Sequence, residues 1–372
     1  LNERKFPRRI PATQPEWPLF SWYPAWWWYR SCAVAIAPRE SEMIARGLRR
    51  AFARRAVLLL YHRIAPPSVD PWSLSVSPQH FDEHLRVLQK TCYPLSFTEF
   101  LRLLKGRDIP RRSVVITFDD GYADNLAYAK PLLEAHDIPA TLFVVAGEGN
   151  TFWWDELERL LLYGEFDTSQ VTFSARGQLH LLELKSPPAW SGNADSPERR
   201  DENASTGRLE AYREAWQVLR GLGKEERRDV LARIASEVAA TPGYPEARRL
   251  DRDGISGLQD GGLVEIGAHT MNHPFLPALS HSEQHAEIVG SKQALEKLTG
   301  KPVTGFSYPF GAFSERTVEI VRHAGFACAC TTEPSAAWRY TDQFKLPRMA
   351  IEDCDGEVFG HRLADTFTRL EA

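Results

Sequence analysis

Two neighbouring carboxylates, Asp119 and Asp120, and two imidazoles, His269 and His273, are the side chains in this 372-residue sequence best suited to hold a metal and move a proton beside it. The carboxylates lie in Thr117-Phe-Asp-Asp-Gly-Tyr122, directly after the apolar run Val114-Val-Ile. Adjacent side chains at a strand end point in different directions, so one can face a metal and the other a water. Gly121 permits the sharp turn that follows. Taken alone, the run reads equally well as a helix-capping turn.

The imidazoles lie in Gly267-Ala-His-Thr-Met-Asn-His-Pro274, after Leu263-Val-Glu-Ile. Two histidines at this spacing on one helical turn can share a cation, and neutral imidazole is a common zinc ligand. Spacing does not single them out, because His80 with His84 and His281 with His285 repeat it inside polar amphipathic helices, where a solvated face is the better reading. His269 and His273 differ in starting at a strand end beside Gly267, with Pro274 halting the turn. An open catalytic site needs a further oxygen ligand, which Asp119 or Asp120 can supply. A third segment, Phe306-Ser-Tyr-Pro-Phe-Gly311, offers Tyr308, Pro309, Phe310 and Gly311 as a rigid apolar wall for a sugar ring or an acetyl methyl. Trp153 and Trp154 are further stacking candidates, although all these rings serve a core equally well.

All three segments follow short apolar runs, and the elements that must carry them alternate. Val57-Leu-Leu-Leu-Tyr, Val114 to Phe118, Ala140 to Val145, Leu263 to Ile266, Phe306 to Tyr308 and Phe326 to Thr332 read as buried strands. Between them fall helices over Pro78–Lys90, Asp124–His136, Ser282–Leu298 and Glu315–His323, the third opened by a Ser280/Glu283 capping box and closed by Gly300. Such alternation implies a parallel sheet with enough strands to curl into an α/β barrel, whose active site lies at the carboxyl ends of the strands. The alternation breaks at about residues 166–253. There, a polar stretch over 186–207 precedes apolar residues at helical spacing, Leu209, Tyr212, Trp216, Leu219 and Val230, Leu231, Ile234, Val238. This reads as a helical hairpin inserted into the barrel.

Residues 1–55 read as a tryptophan-rich extension ahead of a domain over 56–372. The chain starts with Leu and first reaches Met at Met43, so 1–42 read as lying outside the functional domain. The stretch from Trp17 to Trp28 is the one segment suited to a membrane interface, and no run is long and apolar enough to span a bilayer. A formal charge of -4 without a basic face argues against nucleic acid. Five cysteines, an odd number with no zinc-ribbon spacing, fit reduced thiols in a cytoplasmic protein. Cys328 and Cys330 fall on one face of a strand, as a small buried apolar pair.

In combination and order, the Asp-Asp, His-x-x-x-His and Tyr-Pro-aromatic-Gly segments resemble the polysaccharide deacetylase family, the carbohydrate esterases with a NodB-type domain. The resemblance spans roughly residues 56–352 and takes in Tyr61-His62-Arg63 and Phe152-Trp-Trp-Asp155. It implies a distorted (β/α) barrel with fewer strands than a regular one, a divalent metal, most often zinc, and removal of acetyl groups from N-acetylated or O-acetylated sugars of a glycan or glycolipid. By position it implies Asp119 as catalytic base, Asp120, His269 and His273 as metal ligands, and the backbone N–H of Phe310 as an oxyanion donor.

Two departures accompany it. Ser307 stands where many members carry the arginine that orients the base, and Arg348 in Leu346-Pro-Arg-Met is expected to take over. The family's late Leu-x-His motif is absent; His361 lies in another context, which leaves Asp119 or His62 to protonate the leaving group. A catalytically silent glycan-binding protein and a metal-dependent amide hydrolase with a non-sugar substrate are the competing readings on the same barrel.

Overall fold

Strands form where the apolar runs predict them, because each run is buried on both faces. In the computed structural model these are β1 (Arg55–Tyr61), β2 (Ser113–Phe118), β3 (Ala140–Val144), β4 (Val264–Ala268), β5 (Gly305–Ser307) and β6 (Cys328–Cys330), joined by two short, less buried strands, β7 (Ala337–Trp338) and β8 (Met349–Ala350). Residues 54–66, 70–106, 108–163, 165–166, 169–184, 206–239 and 247–371 are described, all within one compact unit, Arg49–Ala372. The expected extension up to residue 53, with Trp17–Trp28, and nearly all of the polar stretch over 186–207 lie outside these residues, while Arg55, placed in the extension, opens β1.

The sheet runs β6-β5-β4-β3-β2-β1-β7, with β8 on β1 and a short strand, Tyr93–Pro94, on β2. From β1 to β6 every neighbouring pair is parallel, and only β7 joins antiparallel. The segment 346–350 spans the gap that an open sheet would leave. Its Leu346 bridges Cys330 of β6, while Met349 and Ala350 pair with Leu59 and Leu60 of β1. The sheet thus curls as the alternation predicts, into the distorted barrel that the family resemblance implies.

Alternate residues divide the packing. Val57, Leu59, Tyr61, Ile116 and Leu142 meet the helical residues Phe81, Leu85 and Ile288. Leu58, Val115, Phe143, Cys328, Cys330 and Leu346 pack instead with Phe97 and Phe100, whose helix, Phe97–Gly106, fills the amino end. Cys328 and Cys330 are thus buried side by side inside the barrel, and the inward line of β2 continues from Val115 through Thr117 to Asp119.

Caps fix the helix ends, including the Ser280/Glu283 box and Gly300 that the sequence predicts. α1 (Pro78–Thr91) starts at Ser77, whose hydroxyl accepts from the His80 N–H. The helix His281–Thr299 opens on a reciprocal Ser280/Glu283 box and closes on Gly300 in the left-handed conformation. The segment expected as one helix from Asp124 begins instead with a π-helical turn, Asn125–Ala129.

The expectation that His84 lies on a solvated face is wrong. Its ring is fully buried, stacked on Phe359 at 4.1 Å; Nε2 donates to the Cys354 carbonyl at 2.8 Å, and Nδ1 meets the Tyr61 hydroxyl at 3.2 Å. The C-terminal helix Gly356–Glu371, which carries Phe359, covers that face. His281 and His285 are exposed as expected.

The insertion holds the two expected helices, Thr206–Arg220 and Lys224–Ala235, together with a β-hairpin that was not expected, Gln170–Ala175 paired to Gln178–Glu183. Arg176 and Gly177 both have positive φ and make its two-residue turn. Val171, Phe173 and Ala175 bury with Tyr212, Trp216 and Leu219 in a second core that includes Tyr122 and Trp154. Among the described residues no helix is long and apolar enough to cross a membrane.

Candidate metal centre

Asp119 directly continues β2, its N–H bonded to the Tyr61 carbonyl at 3.1 Å. The chain then turns sharply, through Asp120 at φ 74° and Gly121 at φ 92°. A side chain at Gly121 would crowd Val144, and that positive φ favours glycine. This reversal separates the two carboxylates, as the paired-acid reading required.

Asp119 enters the barrel interior. Arg348 donates to both its oxygens, Nη1 to Oδ1 and Nη2 to Oδ2, each at 2.7 Å, and the Ser307 hydroxyl donates to Oδ2 at 3.0 Å. Arg348 is itself fully buried and is fixed through Nε to the Thr331 carbonyl at 2.9 Å and through Nη2 to Ser307 Oγ at 2.8 Å. Burial works to raise the Asp119 pKa, but the facing Arg348 guanidinium holds it far below the usual carboxylate range. The acid is therefore ionised at neutral pH. The contact expected of Arg348 is made, and Ser307 adds a hydroxyl to it.

Asp120 turns toward the histidines. Its Oδ1 lies 3.5 Å from His269 Nε2 and 3.3 Å from His273 Nε2, and all three residues are buried. The expected helical turn joining the histidines does not form. Residues 269–273 make a loop in which Thr270 and His273 take positive φ, 65° and 52°. Left-handed backbone costs a branched or bulky residue ~1–2 kcal/mol, so the loop must be held from outside. Glu287, on the helix His281–Thr299, accepts from the N–H groups of Met271 and Asn272 at 2.9 and 2.8 Å and from the Asn272 amide at 2.7 Å. On the opposite side the Ala146 and Gly147 N–H groups bond the Thr270 and Met271 carbonyls. A Cβ at Gly147 would stand 2.2 Å from the Met271 oxygen, so only glycine permits that approach.

His269 Nδ1 donates to the Ser307 carbonyl at 2.7 Å, which fixes the ring with Nε2 facing Asp120. Burial, opposed by the two aspartates, pulls the His273 pKa down to about 3, so its ring is neutral. For His269 burial also acts downward, but Asp119 and Asp120 prevail and raise it.

Asp120 Oδ1 is buried without a hydrogen-bond partner, an arrangement that is costly for an anionic oxygen. Donor atoms about 2.1 Å from a shared tetrahedral cation stand roughly 3.4 Å apart, and both Asp120 contacts fall at that separation. Two neutral nitrogens and one carboxylate oxygen form a donor set that fits zinc or a similar divalent ion and keeps net positive charge on it.

Aromatic rings wall the centre. His273 lies between Trp154 at 4.6 Å and Phe310 at 4.5 Å, and Trp216 of the insertion meets Phe310 edge-on at 5.5 Å. Phe310 has φ 59°, and a Cβ at the next residue, Gly311, would collide with Thr332. Tyr308 is not part of this wall: its ring is buried against Phe306 and Phe313, and its hydroxyl donates to the Phe344 carbonyl at 3.0 Å. Pro309 is buried too, which leaves Phe310 and Gly311 as the wall-forming members of that segment. His62 is half-buried near the acids, with its pKa lowered by burial, whereas His361 is exposed on the C-terminal helix.

A curled parallel sheet with a carboxylate and two imidazoles converging at its carboxyl edge, beside a second, separately held carboxylate, defines a class of hydrolytic barrel. The polysaccharide deacetylase family model matches residues 106–177 and 216–329, and the chain belongs to that family, whose members are hydrolases of carbon–nitrogen bonds other than peptide bonds. A Bacillus subtilis (strain 168) relative, YxkH, is 22% identical over 331 residues, 88% of this chain and 82% of its own. The fold is similar to that of the Streptococcus pyogenes deacetylase PplD in complex with acetate, with TM-score 0.53, 20% identity, and 85% of this chain and 99% of that one covered. It is also similar to IcaB from Ammonifex degensii, with TM-score 0.51, 18% identity, and 86% and 98% covered.

Proposed function

We propose that this chain removes acetyl groups from N-acetylated sugars of a glycan or glycolipid, with a divalent cation, zinc by the donor set, held by Asp120, His269 and His273. The observation that carries the reading is the division of labour between adjacent acids: Asp120 Oδ1 sits unpaired between two imidazole nitrogens, while Asp119 is clamped apart by Arg348 and Ser307. When bound, the cation supplies Lewis acidity toward a water and the acetyl carbonyl oxygen.

The protein's own residues do the rest. Asp119 Oδ2 lies 3.9 Å from His269 Nε2, close enough to the ligand cluster to take the proton of a water there. Arg348 keeps Asp119 ionised before that transfer and holds it in place during it. The N–H of Phe310, presented by its left-handed backbone, is the donor proposed for the oxyanion, and the Phe310 ring with Trp154 and Trp216 shields the site from bulk water. The proton taken by Asp119 is then returned to the leaving amine.

Acetate release from an N-acetylglucosamine oligomer, measured with the cation loaded and after chelation, tests the reading. Turnover that depends on the cation and vanishes in Asp119→Asn supports it. A metal-loaded protein that binds the oligomer and releases no acetate is a glycan-binding protein instead.

A further inference from the structure

Arg220 ends the insertion helix Thr206–Arg220, and its guanidinium lies over three rings: Trp216 at 5.1 Å, Phe275 at 4.9 Å and Phe310 at 5.9 Å. The rings come from three separate segments, so this half-buried charge is held in a defined place, and Phe310 is itself in contact with His273. Neighbouring arginines are bonded to the protein. Arg348 meets Asp119, Arg63 meets Asp124, Arg227 bonds the carbonyls of Leu219 and Leu222, and Arg249 bonds those of Val145 and Gly147. Among the described residues Arg220 has stacking contacts and no hydrogen bond or ion pair. Burial lowers its pKa with no acid to counter it, yet an arginine remains charged at neutral pH.

We infer that Arg220 is a specificity-determining residue that binds an anionic group of the substrate, a carboxylate or phosphate oxygen close to the acetylated position, so that acidic N-acetylated sugars are preferred over neutral ones. The inference rests on the deacetylase reading for the identity of the reaction. A guanidinium presents a planar fork of N–H donors matched to carboxylate and phosphate oxygens, and stacking on rings leaves the edge bearing those donors open. Phe310, only partly buried, provides an apolar surface beside it against which a pyranose ring can lie. Packing alone would require no charge there, since a methionine spans the same rings.

The test uses the full chain loaded with its cation. Acetate release and calorimetric affinity are measured for a neutral N-acetylglucosamine oligomer, for N-acetylglucosamine 1-phosphate, and for N-acetylglucosamine linked to a uronic acid. At least one acidic compound is expected to be favoured about tenfold or more, mainly through KM and less so in high salt. The compound favoured identifies phosphate or carboxylate as the source of the charge. Arg220→Met is expected to bring the acidic-to-neutral ratio close to one, and Arg220→Lys to keep part of it. Equal affinity of the wild type for acidic and neutral sugars, or equal proportional losses for both in Arg220→Met, overturns the assignment. Affinity is read without turnover: if no compound releases acetate the deacetylase reading fails, while the anion contact still stands or falls on the binding ratio.

Discussion

Arg348 holds both carboxylate oxygens of Asp119 at 2.7 Å from a position 229 residues further along the chain, and both groups are buried. The pair lies inside the barrel because Asp119 ends one strand and Arg348 lies on the segment that closes the sheet.

Removing the arginine leaves a buried, uncompensated carboxylate. Arg348→Met is expected to lower stability by about 3–5 kcal/mol and kcat by about a hundredfold or more, with the cation still bound. Arg348→Lys recovers little, since one ammonium cannot reproduce two parallel bonds. Urea denaturation, turnover and metal analysis on the same preparations check this.

The adjacent aspartates should separate cleanly. Asp119→Asn is expected to lose about 10²–10⁴-fold in kcat at nearly unchanged metal content, and Asp120→Asn to lose the metal. Wild-type turnover in Asp119→Asn would show that another group is the base.

Glu287 touches no reacting atom, yet it bonds the loop between the two histidines from a neighbouring helix. Glu287→Gln is expected to weaken the cation about tenfold or more in chelator competition. An unchanged affinity would mean that the Gly147 side of the loop suffices to hold it.

His84 sets an acid limit on the fold. Burial depresses its pKa from 6.5 to about 4, so the unfolded chain takes up its proton first as pH falls. The stability it contributes is complete above pH 6.5, is lost between there and about 4, and changes no further below. The slope reaches at most ~1.4 kcal/mol per pH unit. Urea midpoints across that window should flatten in His84→Gln, and an unaltered slope would assign the acid sensitivity to other groups.

Much of this was legible because it is local. Continuous apolar runs marked the strands, and Ser280, Glu283 and Gly300 marked a helix to within a residue or two. The acids and imidazoles stood out because they follow such runs. Features set by tertiary contacts were not legible. Nothing near His84 reveals that Phe359 covers it, and nothing near Glu287 reveals the loop it receives. Tyr308 read as a site residue because it shares a segment with Phe310, but its ring packs beside Phe306 in the layer facing the helices, and it is the left-handed turn at Phe310 that sends that ring toward His273. The hairpin did carry a local sign, alternating Val171, Phe173 and Ala175 ahead of Arg176-Gly177, obscured because arginine is an unusual first residue for such a turn.

Closure of the barrel by residues 346–350 sets an order of events during synthesis. The two acids and both imidazoles leave the ribosome well before Arg348 does, and until it docks Asp119 lacks the guanidinium that bonds both its oxygens. A nascent or prematurely terminated chain that stops short of Arg348 therefore leaves the Asp119 carboxylate without its two-point partner, even with the neighbouring acid and both imidazoles in place.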